Sequence, residues 1–416
     1  MAIPALSGSS RRDLLDLPAS TARGRVLAID VVRGLLICLI TLGHGHILLS
    51  DSESNRRFIL LISKITNLGT PGFTFLSGLL LGYFEYTHSD FRRIQRKYFL
   101  RGLQLLTLAH LLIAVGTYPL REETSFIQVY LRYGYITDTL AILFLSLPTL
   151  VPRLRPSVRM AIGIGSLLSW KLLVLFPPVS SPGLLLLKEL FFGLSPSGEH
   201  LLGDSYPIVP LGGLFMIGTV FGNRFAQSRA GGTPDRFVKR LRLSVVPLLF
   251  LSGGFIGMWI WGKLNSERPW GSALKLLFYP EKLSSLLPFY LAALFLILAH
   301  VIVKIDIVGE AGRMEKALAL FGRNSLFAYV AQYFLVQTIP SLIGWRNHLT
   351  PLELSLYLGG TIMILYYFVR LYNHSPLRRW RSAKREESRP SGIKRGEDLS
   401  SLLNTPELLD LKKDLW

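Results

Sequence analysis

Three ionisable residues, Asp30, Arg33 and His44, stand in the first apolar run of this 416-residue chain. An ionisable group inside an apolar span is costly to desolvate, and where one is kept it usually serves function. On a helix Asp30 lies one turn before Arg33, within pairing reach. Arg33 and His44 are eleven residues apart, about three turns or roughly 16 Å of helix, so they return to nearly the same face. A carboxylate and a guanidinium near one helix end, with an imidazole three turns along, could receive an anionic group and move a proton. The same residues could also form a structural ion pair and a packed, hydrogen-bonded histidine. His46 points to the opposite side, which makes the two histidines a poor chelating pair. The eight histidines show no ligand set at a recognisable spacing, and Cys38 is the lone cysteine. No metal, internal disulfide or iron–sulfur cluster is therefore expected. Nothing matches a phosphate-binding loop or a dinucleotide fingerprint, so Gly43 and Gly45 read as close-packing glycines.

The elements that must position these residues are membrane helices. Half of the residues are hydrophobic and 18% are charged, against about a quarter charged in soluble domains. Mean hydropathy is +0.39. Apolar runs of spanning length recur from residue 27 to residue 372. This excludes a soluble globular enzyme, a disordered chain and a coiled coil. About ten spans are expected, near 27–50, 60–84, 99–117, 133–151, 159–178, 205–224, 242–262, 284–304, 317–340 and 351–372. The fold class is thus all-α, a polytopic membrane helical bundle, with a polar tail at 1–26 and a charged tail at 373–416. Arg11-Arg12 superficially resembles a twin-arginine signal, but no apolar core follows directly, so the first run is expected to stay as an uncleaved helix. Thirty-two of the 46 lysines and arginines fall on the N-terminal side of this topology and twelve on the other. The net charge of +19 therefore reads as positive-inside topology with both termini cytoplasmic, not as a nucleic-acid surface. In the tail, residues 405–416 carry the pattern of a short surface helix on an otherwise solvated segment.

Several segments, in order, resemble the transmembrane acyltransferase superfamily. The first is Asp30-x-x-Arg33-Gly34 with ten residues between Arg33 and His44. The run Thr70-Pro71-Gly72-Phe73-Thr74-Phe75-Leu76-Ser77-Gly78 is similar to the family's second-helix motif. Arg101 to His110 is similar to the third helix of the OpgC-type branch. Asp204 to Gly222 and Tyr279-Pro280 with Leu283 to Leu298 resemble the heparan-α-glucosaminide N-acetyltransferase-like branch. Phe321-Gly322-Arg323-Asn324-Ser325-Leu326-Phe327-Ala328-Tyr329 resembles a late helix start of these proteins, including the acyltransferase-3 enzymes. The chain departs where the late helix often has Tyr-x-x-His: here Tyr329 is followed by Gln332. Leu211 stands where tryptophan is expected.

The resemblance implies transfer of an acetyl or succinyl group from cytosolic acyl-CoA, a co-substrate and not a bound cofactor, to a sugar of a glycan or glycolipid. It implies His44 as general base or acyl carrier, with Asp30 orienting Arg33. Arg33, with Arg96, Lys97 or Arg101, would receive the CoA phosphates. His110, Asp138, Asp204 and Gln332 are weaker substrate-side candidates, with Glu199 and His200 in the same outer loop as Asp204. His110 could instead be a packed helix-bonding histidine, and Asp138 a water-exposed helix-start residue. Expected partners are membrane lipids, acyl-CoA and the acceptor, with no nucleic acid; a homo-oligomer is compatible with the sequence. The expected location is the bacterial inner membrane. The rival reading is a secondary transporter or flippase, which also places polar residues at mid-membrane.

Overall fold

A computed structural model describes residues 26–50, 52–120, 125–173, 181–193, 201–202, 206–278 and 286–374. The described residues form helices joined by turns, with one isolated bridge, Leu49 to Leu349, and no strand among them. In order the helices are α1 (Leu27–His44), α2 (Glu53–Thr66), α3 (Gly69–Thr87), α4 (Phe91–Gln104), α5 (His110–Thr117), α6 (Phe126–Arg132), α7 (Ile136–Leu150), α8 (Pro156–Leu173) and α9 (Pro182–Phe192). They continue with α10 (Ile208–Ala230), α11 (Pro234–Leu264), α12 (Pro269–Leu277), α13 (Leu287–Ile302), α14 (Arg313–Arg323), α15 (Ser325–Tyr333), α16 (Ile339–Leu342) and α17 (Pro351–His374). The chain divides into two compact units, residues 1–366 and 367–416; of the second, the described part is the end of α17.

Among the described residues, eight helical stretches are long and apolar enough to cross a membrane, where about ten spans are expected from sequence. Two differences account for this. The expected fifth span is helical over Pro156–Leu173, and residues 174–180 lie outside the described residues. The expected ninth span, 317–340, is broken. Helix α14 ends at Arg323, and Asn324 leaves the helical region at φ −115° and ψ 28°. The Asn324 amide closes the outgoing turn by donating to the Leu320 carbonyl at 2.8 Å, as short amide side chains do at helix ends.

Glycines set the two closest helix crossings. On α3 and α10, Gly78, Gly82, Gly218 and Gly222 form two reciprocal Gly-x-x-x-Gly pairs. A Cβ on Gly82 would lie 1.9 Å from the Thr219 carbonyl oxygen, and one on Gly222 would lie 1.9 Å from that of Leu79. Backbone meets backbone, the arrangement by which membrane helices gain van der Waals contact. On α1 and α14 the same holds: a Cβ on Gly34 would stand 1.9 Å from the Leu318 oxygen, and one on Gly322 1.8 Å from that of Asp30. Gly82→Ala is expected to cost about 1–3 kcal/mol, since the methyl group has only backbone to displace. A lowered melting temperature in detergent checks this; an unchanged one would contradict the close approach.

Candidate active site

The α1–α14 crossing fixes what surrounds the first candidates. Asp30 is 7% exposed, and its Oδ2 lies 3.5 Å from Arg323 Nε, at the end of α14. Arg33 donates from Nη2 to Ser325 Oγ at 2.7 Å, at the start of α15. The Arg33 guanidinium also stands 5.0 Å from the centre of the Phe73 ring on α3, a cation–π arrangement. The break at Asn324 thus has a use: it directs the residues on either side of it, Arg323 and Ser325, at α1. Arg33 and Arg101 are both within electrostatic reach of the buried Tyr98 hydroxyl on α4. Arg96 lies on the exposed side of the same helix.

His44 ends α1, where the chain tightens into a 3₁₀ turn over Gly45–Leu48. Its Nδ1 is 2.8 Å from Gln332 Nε2 and 3.0 Å from Gln332 Oε1. The Gln332 side chain is fully buried. The imidazole stacks at 4.7 Å and 46° on the Tyr333 ring, with Tyr329 edge-on at 6.3 Å. The two phenol oxygens are 3.1 Å apart. Tyr329, Gln332 and Tyr333 sit at i, i+3 and i+4, one face of α15. His46 is exposed, its Nδ1 on the Gly43 carbonyl, away from this cluster as the helix period predicts.

His110 and Asp138, candidates from separate spans, come together. His110 Nδ1 and Asp138 Oδ1 are 2.8 Å apart. His110 Nε2 faces the Tyr130 carbonyl at 2.8 Å, and Asp138 Oδ2 accepts the Tyr135 backbone N–H at 2.7 Å. With an acceptor on each ring nitrogen, His110 acts as a clamp on the α6–α7 turn. That clamp holds Tyr135, whose hydroxyl bonds Thr117 at 2.8 Å. The Tyr135 ring lies 6.3 Å from that of Tyr333, so the clamp connects through rings to His44. Asp204, Glu199 and His200 lie outside the described residues.

The sequence reading assigns no role to Arg323, Ser325, Tyr333, Tyr135 or Phe73. The i, i+3, i+4 spacing on α15 is a signal that points to Tyr333. Two π-helical turns border the cluster, Leu105–Ala109 just before His110 and Phe334–Thr338 just after Tyr333; such turns often occur at functional sites. Gln332→Leu is expected to lose the anchor of the His44 ring while keeping the fold. Transfer activity should then fall about tenfold to a hundredfold, the loss of one hydrogen bond to a group that becomes charged, with the donor KM nearly unchanged. Equal activity in the variant would remove Gln332 from the site.

Chemically, the arrangement offers a half-buried guanidinium oriented by a hydroxyl and an aromatic face. Three turns along the same helix it offers an imidazole held through Nδ1. Among the described residues no group of three or more His, Cys, Asp or Glu could hold a metal ion. No curated protein matches the chain. The family profile of the heparan-alpha-glucosaminide N-acetyltransferase catalytic domain matches residues 25–253, which includes α1, the Phe73 segment of α3 and the His110–Asp138 pair. That match covers more than half of the chain, so this integral membrane protein belongs to the heparan-alpha-glucosaminide N-acetyltransferase catalytic-domain family and is an enzyme of the acyltransferase class.

Proposed function

We propose that the protein transfers an acyl group, acetyl or succinyl, from cytosolic acyl-CoA to a sugar hydroxyl or amine of a glycan or glycolipid. The observation that carries this reading is the pairing of Arg33 and His44 on one face of α1, each held by a side chain from α15. Arg33 receives the donor's phosphates, with Arg101 beside Tyr98 and Arg96 further out as additional cations. Guanidinium–phosphate bonds are charge-assisted and suit this task. Asp30 and Arg323 neutralise one another beside it.

His44 is the general base. In the tautomer this reading requires, Nδ1–H donates to Gln332 Oε1 and Nε2 is the basic nitrogen. The acceptor O–H or N–H loses its proton to Nε2 as its oxygen or nitrogen attacks the thioester carbonyl. The C–S bond then breaks, and the imidazolium returns the proton to the departing thiolate. Tyr329 and Tyr333 wall the imidazole and limit water around it. The terminal tails and the basic ends of the helices are cytoplasmic on the positive-inside rule, in the bacterial inner membrane. The secondary-transporter reading would draw on the broken α14–α15 segment; membership of an acyltransferase family favours the enzyme.

Titration calorimetry with acetyl- and succinyl-CoA, on protein in lipid nanodiscs, tests the donor site. Arg33→Gln is expected to weaken binding by about tenfold or more, the loss of a charge-assisted contact. Undiminished affinity in the folded variant would overturn this role of Arg33.

A further inference from the structure

A second cationic site lies apart from the α1–α15 cluster, where the start of α4 meets the end of α7. A cavity of about 500 Å³ opens there, with Arg92 and Gln95 on one wall and Thr149, Pro152 and Arg153 on the other. The walls are fixed. Gln95 Nε2 donates to the Pro148 carbonyl at 2.9 Å. Gly102 brings α4 so close to α7 that a Cβ there would lie 2.9 Å from Leu145 Cγ. The one carboxylate at the rim, Asp90, accepts the Arg93 backbone N–H at 3.3 Å as the cap of α4. Arg92 and Arg153, both exposed, line the opening.

The helix period says what fits. Arg92, Gln95, Phe99 and Leu103 fall on one face of α4. That face begins cationic and polar and turns apolar within two turns; Phe99 is 49% and Leu103 40% exposed. Across the cavity, exposed Leu150 stands beside Thr149. In a membrane protein such apolar exposure faces acyl chains, and the cationic end meets the headgroup layer. A soluble anion would use the arginines and leave the apolar strip unused.

We propose that this cavity binds one anionic phospholipid, with its headgroup phosphate between Arg92 and Arg153 and its acyl chains along Phe99, Leu103 and Leu150. The test is lipid retention by native mass spectrometry, with melting temperature as a second readout. The wild type would be compared with Arg92→Gln/Arg153→Gln, with Leu103→Asn/Leu150→Asn, and with a charge-matched control, Arg313→Gln/Lys316→Gln. Phosphatidylglycerol, phosphatidylcholine and inorganic phosphate are the added ligands. The expected result is preferential retention of, and stabilisation by, phosphatidylglycerol. The arginine variant should reduce retention more than about tenfold, the leucine variant should also reduce it, and the control should not. Equal retention of the two lipids, an equal loss in the control, or full stabilisation by inorganic phosphate would overturn the proposal. Should the arginine pair not fold, Arg92→Gln and Arg153→Gln singly make the same comparison.

Discussion

His44→Ala is expected to lower kcat for acyl transfer by about 10²–10⁴-fold, the range that a positioned general base contributes. Binding of the acyl donor should change little, because Arg33 lies about three turns away along α1. The fold should survive. His44 ends its helix and is half-buried, and Tyr329 and Tyr333 still pack on each other through rings 5.4 Å apart. His44→Gln keeps a polar side chain of similar reach without a titrating nitrogen, and should fall nearly as far. The measurement is thiol release from acyl-CoA in the presence of acceptor sugars, alongside melting temperature. Retained turnover in His44→Ala would remove the imidazole from the reaction whatever the family.

The second large effect concerns stability. Arg159 of α8 is 2% exposed and holds Glu85 of α3 in a fork, Nη1–Oε2 at 2.6 Å and Nη2–Oε1 at 3.1 Å. Its Nε donates to the Leu154 carbonyl at 3.1 Å, and Nη1 reaches Thr219 Oγ1 of α10 at 3.4 Å. Each of the three guanidinium nitrogens donates where three helices meet. Arg159→Met leaves the half-buried Glu85 carboxylate without its counter-ion, a loss of about 3 kcal/mol, the lower end of what breaking a buried pair costs. Removing both charges, in Arg159→Met/Glu85→Met, should recover much of that loss, because a buried pair is close to neutral against an apolar replacement. Thermal unfolding of the two single variants and the double variant in detergent measures the difference. A double variant as unstable as Arg159→Met would show that packing of the guanidinium stem, not charge pairing, holds this junction.

Much of the architecture was legible in the sequence because a membrane imposes one dominant rule, spanning length at high apolarity. The Arg33–His44 relationship was legible for the same reason: both lie on one helix, where spacing determines the face. What escaped is what depends on other helices. Gln332 meets His44 across 288 residues, and His110 meets Asp138 across two helices. Arg159 counted as one more topology-setting cation, since a charge tally is blind to burial; Glu85 among apolar neighbours was the available clue. The break at Asn324 was hidden because the apolar run continues through it, while its purpose, aiming Arg323 and Ser325 at Asp30 and Arg33, appears only against α1.

The most direct test of the central claim is acyl transfer by the purified, folded protein. Acetyl-CoA or succinyl-CoA labelled in the acyl group would be supplied with a panel of amino sugars and glycans. The account predicts label on an acceptor with one free CoA thiol released per transfer, and loss of both in His44→Ala. Label that reaches no acceptor from either donor, together with movement of unmodified substrate across a proteoliposome membrane, would contradict it and make the protein a transporter.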